Sequence, residues 1–567
     1  MSAFMRRVVS ASCDDTSCKS LRSLALGLTL IGALMAPLHA RAATGPIVDT
    51  TAGKVEGLVT NNVAEFLGIP YAKPPVGGLR WMPPVAHSSW SGTRKTVAFG
   101  PNCAQITELG VFAGPANNNE DCLYLNVFTP NVSSSAKLPV LFWIHGGGNE
   151  DGESSDYDGS KLAAQGRTVV VTVNYRLNLM GFLAVPSLDS EGHHFANYGI
   201  MDQQLALNWV HNNIAKFGGD PKNVTVGGQS AGAEDTGIHM ISPLDAGLFQ
   251  RALCESGCPS TYYPSRGLFP TVAQAEAVGT NFAVAAGCGS KTGAAQAKCL
   301  RSLTAAQVEA LAGTASTASP YVLGPILDGT IIPIQPIDAW NSGAFTHMPL
   351  INGNTLDEEN FTLAISEYFS GPPRTPITSA QYMSAIASTY VSPPFPAGTS
   401  AKILSLYPVG AYSSAQVAWD RAGTDPFLCA ERQVDHTLGS QIPVYAYEFD
   451  DQTAPFFFPK MPGFVSLAYH TADIQYLFPL WHGGPLGIAH PLNAQQTKLS
   501  DELVAAWTNF AATGNPNGVG STPWPVFPKG TNKPAFLSQN IPVLSTFTDT
   551  QYRAQHHCDF WDSIATY

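Results

Sequence analysis

The residues best equipped for chemistry lie in the segment VTVGGQSAGA, residues 224–233, where Gly228-Gln229-Ser230-Ala231-Gly232 follows a short apolar run. A serine between two glycines on a strand-to-helix turn takes strained backbone angles, so its neighbours must be small and its hydroxyl projects above the sheet's carboxyl edge. Such an oxygen attacks an acyl carbon once a base takes its proton. A second set, His145-Gly146-Gly147-Gly148, closes the apolar run LPVLFWIH at residues 138–145. Acyl transfer puts a full negative charge on the carbonyl oxygen, and backbone N–H groups reach it only where no side chain intervenes. Three consecutive glycines permit that approach, although on their own they also read as a plain glycine turn after a strand. Together the two sets would supply a nucleophile, Ser230, and an anion cradle built from the amides of Gly147, Gly148 and Ala231.

Both sets need a rigid frame. Residues 138–145 and 168–175 (TVVVTVNY) are continuous apolar runs of the kind buried on both faces of a parallel sheet, and residues 223–227 form a third short strand. Between the last two, residues 203–217 carry Leu205, Leu207, Trp209, Val210 and Ile214 at helical spacing and stop at Gly218-Gly219. Strand, helix and strand in this order imply right-handed crossovers and an α/β fold. Residues 48–59 alternate around Gly53 and Gly57 as an opening hairpin would, and residues 66–81, rich in Pro and Gly, read as an ordered loop. Residues 271–315 and 375–435 read as helical excursions from one large domain, residues 43–567, in which neither linker nor internal repeat is visible.

Composition narrows the partners. Thirty basic residues against 42 acidic give a net charge of −12 over 567 residues, the wrong sign for a protein that neutralises phosphates, so nucleic acid is not an expected partner. Gly and Pro number 52 and 43 without a G-X-Y period, which suits a loop-rich fold and excludes a collagen-like one. Residues 1–42 read as a signal peptide: Arg6, Arg7, Lys19 and Arg22 precede an apolar stretch from Leu24 to Leu38, and Ala40-Arg41-Ala42 is a cleavage pattern. The alternative is an uncleaved membrane anchor. No later apolar run is long enough to span a bilayer, so a secreted or periplasmic protein without an integral membrane segment is expected. With Cys13 and Cys18 in the leader, eight of the ten cysteines remain, an even number in an oxidising compartment.

Further segments appear in a fixed order: FLGIPYAKPPVGGLRW, EDCLYLNV, WIHGGG, NYGIMDQQLALNWVHNNIAKFGGDP, GGQSAGA, GNTLDEENFTL, AYHTADIQYLF, and AWTNFAATGNPNG with WPVF. Spread over nearly the whole chain, this set resembles the type-B carboxylesterase/lipase family of the α/β-hydrolase fold, which includes cholinesterases, microbial esterases and the non-catalytic neuroligins. The resemblance implies a mostly parallel central sheet flanked by helices, with large helical insertions over the active site. It also implies an acid at Glu358, within Gly353-Asn354-Thr355-Leu356-Asp357-Glu358-Glu359, and a base at His470, within Tyr469-His470-Thr471-Ala472-Asp473-Ile474. On that reading Ser230, His470 and Glu358 hydrolyse a small-molecule carboxylic ester through an acyl-enzyme, with no metal or organic cofactor. The pairings Cys103 with Cys122, Cys288 with Cys299 and Cys429 with Cys558 are implied in the same way. Cys254 and Cys258 are left as a local bridge or as buried thiols. Two rival readings are a true lipase acting on acylglycerols, its acyl pocket lined by Phe456–Phe458 and Phe464, and a neuroligin-like binding protein without turnover. Core packing explains those phenylalanines equally well.

Four departures from the family pattern stand out. Gln229 occupies the usual place of a Glu and removes a negative charge beside the serine. Glu359 replaces a Gly, which makes Asp357 and Glu359 rivals for the acid role. Glu234 and Asp235 replace small or hydroxylated residues; they are read either as contacting the buried network near the triad or, by preference, as acids favouring a helix start. Asn149, Glu150, Asp151 and Glu153 form an acidic loop where relatives place an aromatic; it is read either as solvated or as the seat of an amine-bearing substrate.

Overall fold

A computed structural model describes residues 45–564 apart from 108, 261–267, 318–322, 479–489 and 531. The segment read as a signal peptide lies outside the described residues. In chain order the strands are β1 (Ile47–Asp49), β2 (Lys54–Glu56), β3 (Leu58–Thr60), β4 (Val63–Pro70), β5 (Thr93–Lys95), β6 (Tyr124–Thr129) and β7 (Leu138–Ile144). They continue as β8 (Val169–Val173), β9 (Gly219–Gln229), β10 (Arg251–Glu255), β11 (Leu350–Thr355), β12 (Val444–Phe449), β13 (Pro534–Gln539) and β14 (Ser545–Thr548).

Eleven of them form one sheet in the order β14-β13-β12-β11-β10-β9-β7-β8-β6-β4-β3, and β1, β2 and β5 form a smaller one. From β8 to β13 every neighbouring pair is parallel, while the flanking pairs are antiparallel. All five residues of β8 are fully buried, as a strand covered by helices on both faces requires. The register matters most at the carboxyl ends. Ile144 lies opposite Gly228, and Glu255 lies opposite both Gln229 and Gly353, so β7, β9, β10 and β11 end at one edge.

The elements read from the sequence are present with altered bounds. The helix expected over residues 203–217 starts earlier, at Tyr198, and gives way at Asn213 to a 3₁₀ turn, Ile214–Phe217, closed by Gly218 at φ +87°. Its first five residues are all buried, so no polar face marked the beginning. Residues 66–81 are not wholly a loop, because Phe66 to Pro70 belong to β4, which slips register against β6 between Phe66 and Ile69. Such a bulge hides a strand's alternation. The first excursion contains Val272–Ala285, Gly293–Arg301 and Ala305–Thr317; the second contains Ser379–Thr389, Thr399–Leu406 and the long helix Ala415–Gly439.

Disulfides join Cys103 to Cys122, Cys288 to Cys299 and Cys429 to Cys558, the last across 129 residues. Cys254 and Cys258 are buried thiols. Among the described residues no helix is long and apolar enough to cross a membrane.

The helix Ala415–Gly439 lays Glu431 and Asp435 against the Asn352 side chain of β11, at 3.3 and 2.9 Å. Burial pushes the Asp435 carboxyl up from 3.8 to about 8. The folded chain therefore keeps a proton that the unfolded chain releases, so stability from this group is present at low pH and is lost as pH rises through that window. Asp435→Asn keeps the contact without the charge. Its denaturation midpoint relative to the parent should climb between about pH 4 and pH 8, as urea titrations at stepped pH would measure.

Candidate active site

Ser230 lies between β9 and the helix Ala231–Ile241 with φ 58° and ψ −124°, angles that a residue with a side chain rarely adopts. Its N–H donates to the Glu255 carbonyl of β10 at 2.8 Å, and its own carbonyl accepts from the amides of Ala233 and Glu234 at 2.9 and 3.1 Å. The glycine at 232 is required by space: a Cβ there would lie 2.1 Å from the Ile144 carbonyl oxygen of β7. The helix begins at Ala231, whose N–H therefore has no partner inside the helix. The Ser230 side chain is partly exposed.

His470 and Glu358 meet. The imidazole Nδ1 is 2.5 Å from Glu358 Oε2, and the other carboxylate oxygen accepts from the Thr355 amide at the end of β11, at 2.7 Å. Phe361 packs edge-on against the ring at 5.1 Å. The far nitrogen, Nε2, faces the side-chain amide of Gln229 at 3.1 Å. A carboxylate at Nδ1 and an N–H donor at Nε2 leave the proton on Nδ1 and a lone pair on Nε2. The rival acids point elsewhere. Asp357 accepts from Gln452 at 2.8 Å and the Ala468 amide at 3.1 Å, and Glu359 lies against Gly423.

Two buried acids behind this pair escaped the sequence reading. Asp473 accepts from the Tyr447 hydroxyl at 3.1 Å, and burial together with the Glu358 charge pushes it up to about 6. Glu255 accepts from the Trp507 indole at 2.7 Å, and burial and then Asp473 hold it well above the usual carboxylate range. Burial beside other acids disfavours the charged form of Glu255. Asp473 was visible in AYHTADIQYLF, but no local spacing distinguishes an acid that faces a histidine from one that caps a turn. The phenylalanines weighed as an acyl pocket are mostly packed: Phe457 and Phe458 are buried, and Phe456 stacks on Phe464 and meets Tyr469 edge-on.

The glycine loop after β7 is held from outside. Gly147 and Gly148 have φ of 116° and 65°, and a Cβ on Gly147 would sit 1.8 Å from the Asp151 carbonyl oxygen. His145 stacks on Tyr175 at 4.5 Å, and the Tyr175 hydroxyl donates to the His145 carbonyl at 2.9 Å. Burial lowers His145 to about 4, so a neutral ring lies at the loop's root, its Nδ1 2.7 Å from the Gly146 carbonyl. Gln105 grips Gly152 at both its N–H and its carbonyl, at 2.7 and 3.2 Å.

Two expectations fail here. The loop is not solvated: Asn149, Asp151 and Glu153 are 2%, 0% and 8% exposed, and Asp151 accepts from the Leu109 amide at 3.1 Å. Nor is Asp235 merely a helix-start acid. It is fully buried and accepts from Asn149 Nδ2 at 3.1 Å and Gln203 Nε2 at 2.6 Å. Burial pushes it up to about 6 against the pull of these two hydrogen bonds. Each acid or amide looked solvated because its partner is distant in the chain.

Among the described residues no cluster of three or more His, Cys, Asp or Glu side chains is suited to a metal ion.

Comparison with known proteins agrees with this architecture. A model of the carboxylesterase family matches residues 44–561. The chain is 32% identical to mouse carboxylesterase 1E, with 92% of this chain and 93% of that protein covered. It is 33% identical to the para-nitrobenzyl esterase of Bacillus subtilis strain 168, over 88% of this chain and 96% of that one. It is 34% identical to the fumonisin B1 esterase of Sphingopyxis macrogoltabida, with 90% of each covered. Among solved structures, a PNB esterase superposes with a TM-score of 0.72 at 30% identity, over 90% of this chain and 99% of that one. A carboxylesterase of Geobacillus stearothermophilus gives the same score at 29% identity and the same coverage. The chain belongs to the type-B carboxylesterase family and is a carboxylic-ester hydrolase on the α/β-hydrolase fold.

Proposed function

We propose that this chain is an exported serine hydrolase in which Ser230 attacks a carboxylic ester, His470 is the general base and Glu358 orients it. The observation that carries the reading is the imidazole: Nδ1 lies 2.5 Å from Glu358, and Nε2 carries its lone pair at Gln229, the residue next to Ser230. Taking the Ser230 proton requires the ring to exchange the Gln229 amide for the hydroxyl. The tetrahedral oxyanion then rests on the amides of Gly147, Gly148 and Ala231. His470 returns its proton to the leaving alcohol, and water repeats the sequence on the acyl-enzyme to release the acid.

Two of the relatives are named as esterases of para-nitrobenzyl esters and of fumonisin B1, which supports a small-molecule ester as substrate. Phe457 and Phe458 are buried and Phe456 and Phe464 pack partly buried against the same core, which favours core packing over an acyl pocket for this stretch. Export rests on the leader-like composition of residues 1–42 and on three disulfides, which need an oxidising compartment; residues 43–567 would be the mature hydrolase domain.

A fluorophosphonate probe, followed by peptide mapping, should modify Ser230; modification elsewhere defeats the reading. Ser230→Ala should lower kcat on short p-nitrophenyl esters by about 10⁶-fold, and Glu358→Gln by about 10⁴-fold, each at an unchanged melting temperature. The parent should turn over these soluble esters in preference to emulsified triacylglycerol.

A further inference from the structure

The anion cradle has two halves on different elements. Gly147 and Gly148 follow β7, whereas Ala231 starts the helix after β9. The glycines have no side chains with which to anchor themselves, so their position must be imposed by neighbours. One neighbour spans both halves. Asp235 sits one turn beyond Ala231 on the same helix, and its carboxylate holds the side chain of Asn149, the residue directly after Gly148.

Asn149 has φ +60°, the left-handed region that asparagine enters more readily than most residues but not for free. Two bonds hold it there: its carbonyl accepts from the Asn178 amide at 2.7 Å, and its side-chain amide donates to Asp235. Both partners are at most 2% exposed, and a buried hydrogen bond to a charged acceptor contributes more than a neutral one. Asp235 is itself held. Its second oxygen takes Gln203, whose Oε1 is 2.8 Å from His239 Nε2, and His239 Nδ1 is 2.9 Å from Asp245 Oδ2. Gln204 donates to that same Asp245 oxygen at 2.9 Å. A buried row of polar side chains thus runs from the second half of the helix to the loop after β7.

We propose that Asp235 is a positioning residue: through Asn149 it sets the spacing between the Gly147-Gly148 amides and the Ala231 amide, and so the fit of the cradle to a tetrahedral oxyanion. The inference rests on the reading of Ser230 and these three amides given above. It predicts a particular kind of defect. Ground-state binding of the ester does not use the cradle fully, so KM stays within about threefold while kcat falls by about 10- to 100-fold, less than the loss of a whole oxyanion donor.

The test uses the full chain and three variants, Asp235→Ala, Asn149→Ala and the double variant, assayed for kcat, KM and the inhibition constant of a trifluoromethyl ketone. This ketone adds Ser230 Oγ and leaves its oxygen as an anion in the cradle. Each single variant should weaken the ketone in proportion to its loss in kcat, and the double variant should be no worse than the poorer single one, because both act through one bond. Losses that multiply, or a kcat and ketone affinity that match the parent in either single variant, overturn the proposal. If Asp235→Ala does not fold, Asn149→Ala alone decides, since it removes only the loop-side partner. A parent enzyme insensitive to the ketone would instead overturn the reading of Ser230, which keeps the two failures apart.

Discussion

A backbone bent to φ 58° and ψ −124° at a residue that carries a side chain is the constraint on which the site depends. Strain of this kind costs on the order of 1–3 kcal/mol and persists only where the surroundings over-determine it. Here they do so from two strands and a helix. The N–H of Ser230 is spent on β10, the missing side chain at 232 lets the helix close on β7, and the helix uses the serine's carbonyl for its first turn. Relaxing the turn would break the carboxyl edge of the sheet, and that edge is where β7, β9, β10 and β11 finish in register.

The same edge gathers an unusual amount of buried acid. Glu358, Asp473 and Glu255 follow one another behind the imidazole, with Tyr447 and Trp507 as donors. Several carboxylates cannot all be ionised at close quarters in a low-dielectric interior. Burial raises both Asp473 and Glu255, each further raised by an acidic neighbour, while Glu358 is the acid that touches the ring. Gln229 adds no charge to this group, and its amide nitrogen faces the ring at 3.1 Å.

What could be read from the sequence follows from how far each residue's environment extends along the chain. Ser230 and Gly147-Gly148 were legible because their requirements, small neighbours and positive φ, are written within a few positions. The strand Val169–Val173 was legible because a doubly covered strand is apolar throughout. Glu358 and His470 are separated by 112 residues and were found only through resemblance to a family. Asn149 and Asp235 are 86 residues apart, and each was weighed alone, as a polar loop residue and as a helix-start acid. A buried contact was one of the two readings open for Asp235, but its partner could not be named from residues near it in the chain, and the loop residue was preferred as solvated. The early start of the helix Tyr198–Asn213 was missed for a related reason, since a helix end enclosed on every side shows no polar stripe.

The two helical excursions leave the sheet at its carboxyl edge, one after β10 and the other after β11, and each returns to the next parallel strand. Neither Ser230, the glycine loop nor His470 is carried on them. The second is nonetheless fastened to the body, by the Cys429–Cys558 disulfide, by Glu431 and Asp435 on Asn352 of β11, and by the Thr424 hydroxyl that takes the Glu359 amide, so a change in that helix is felt at the end of β11.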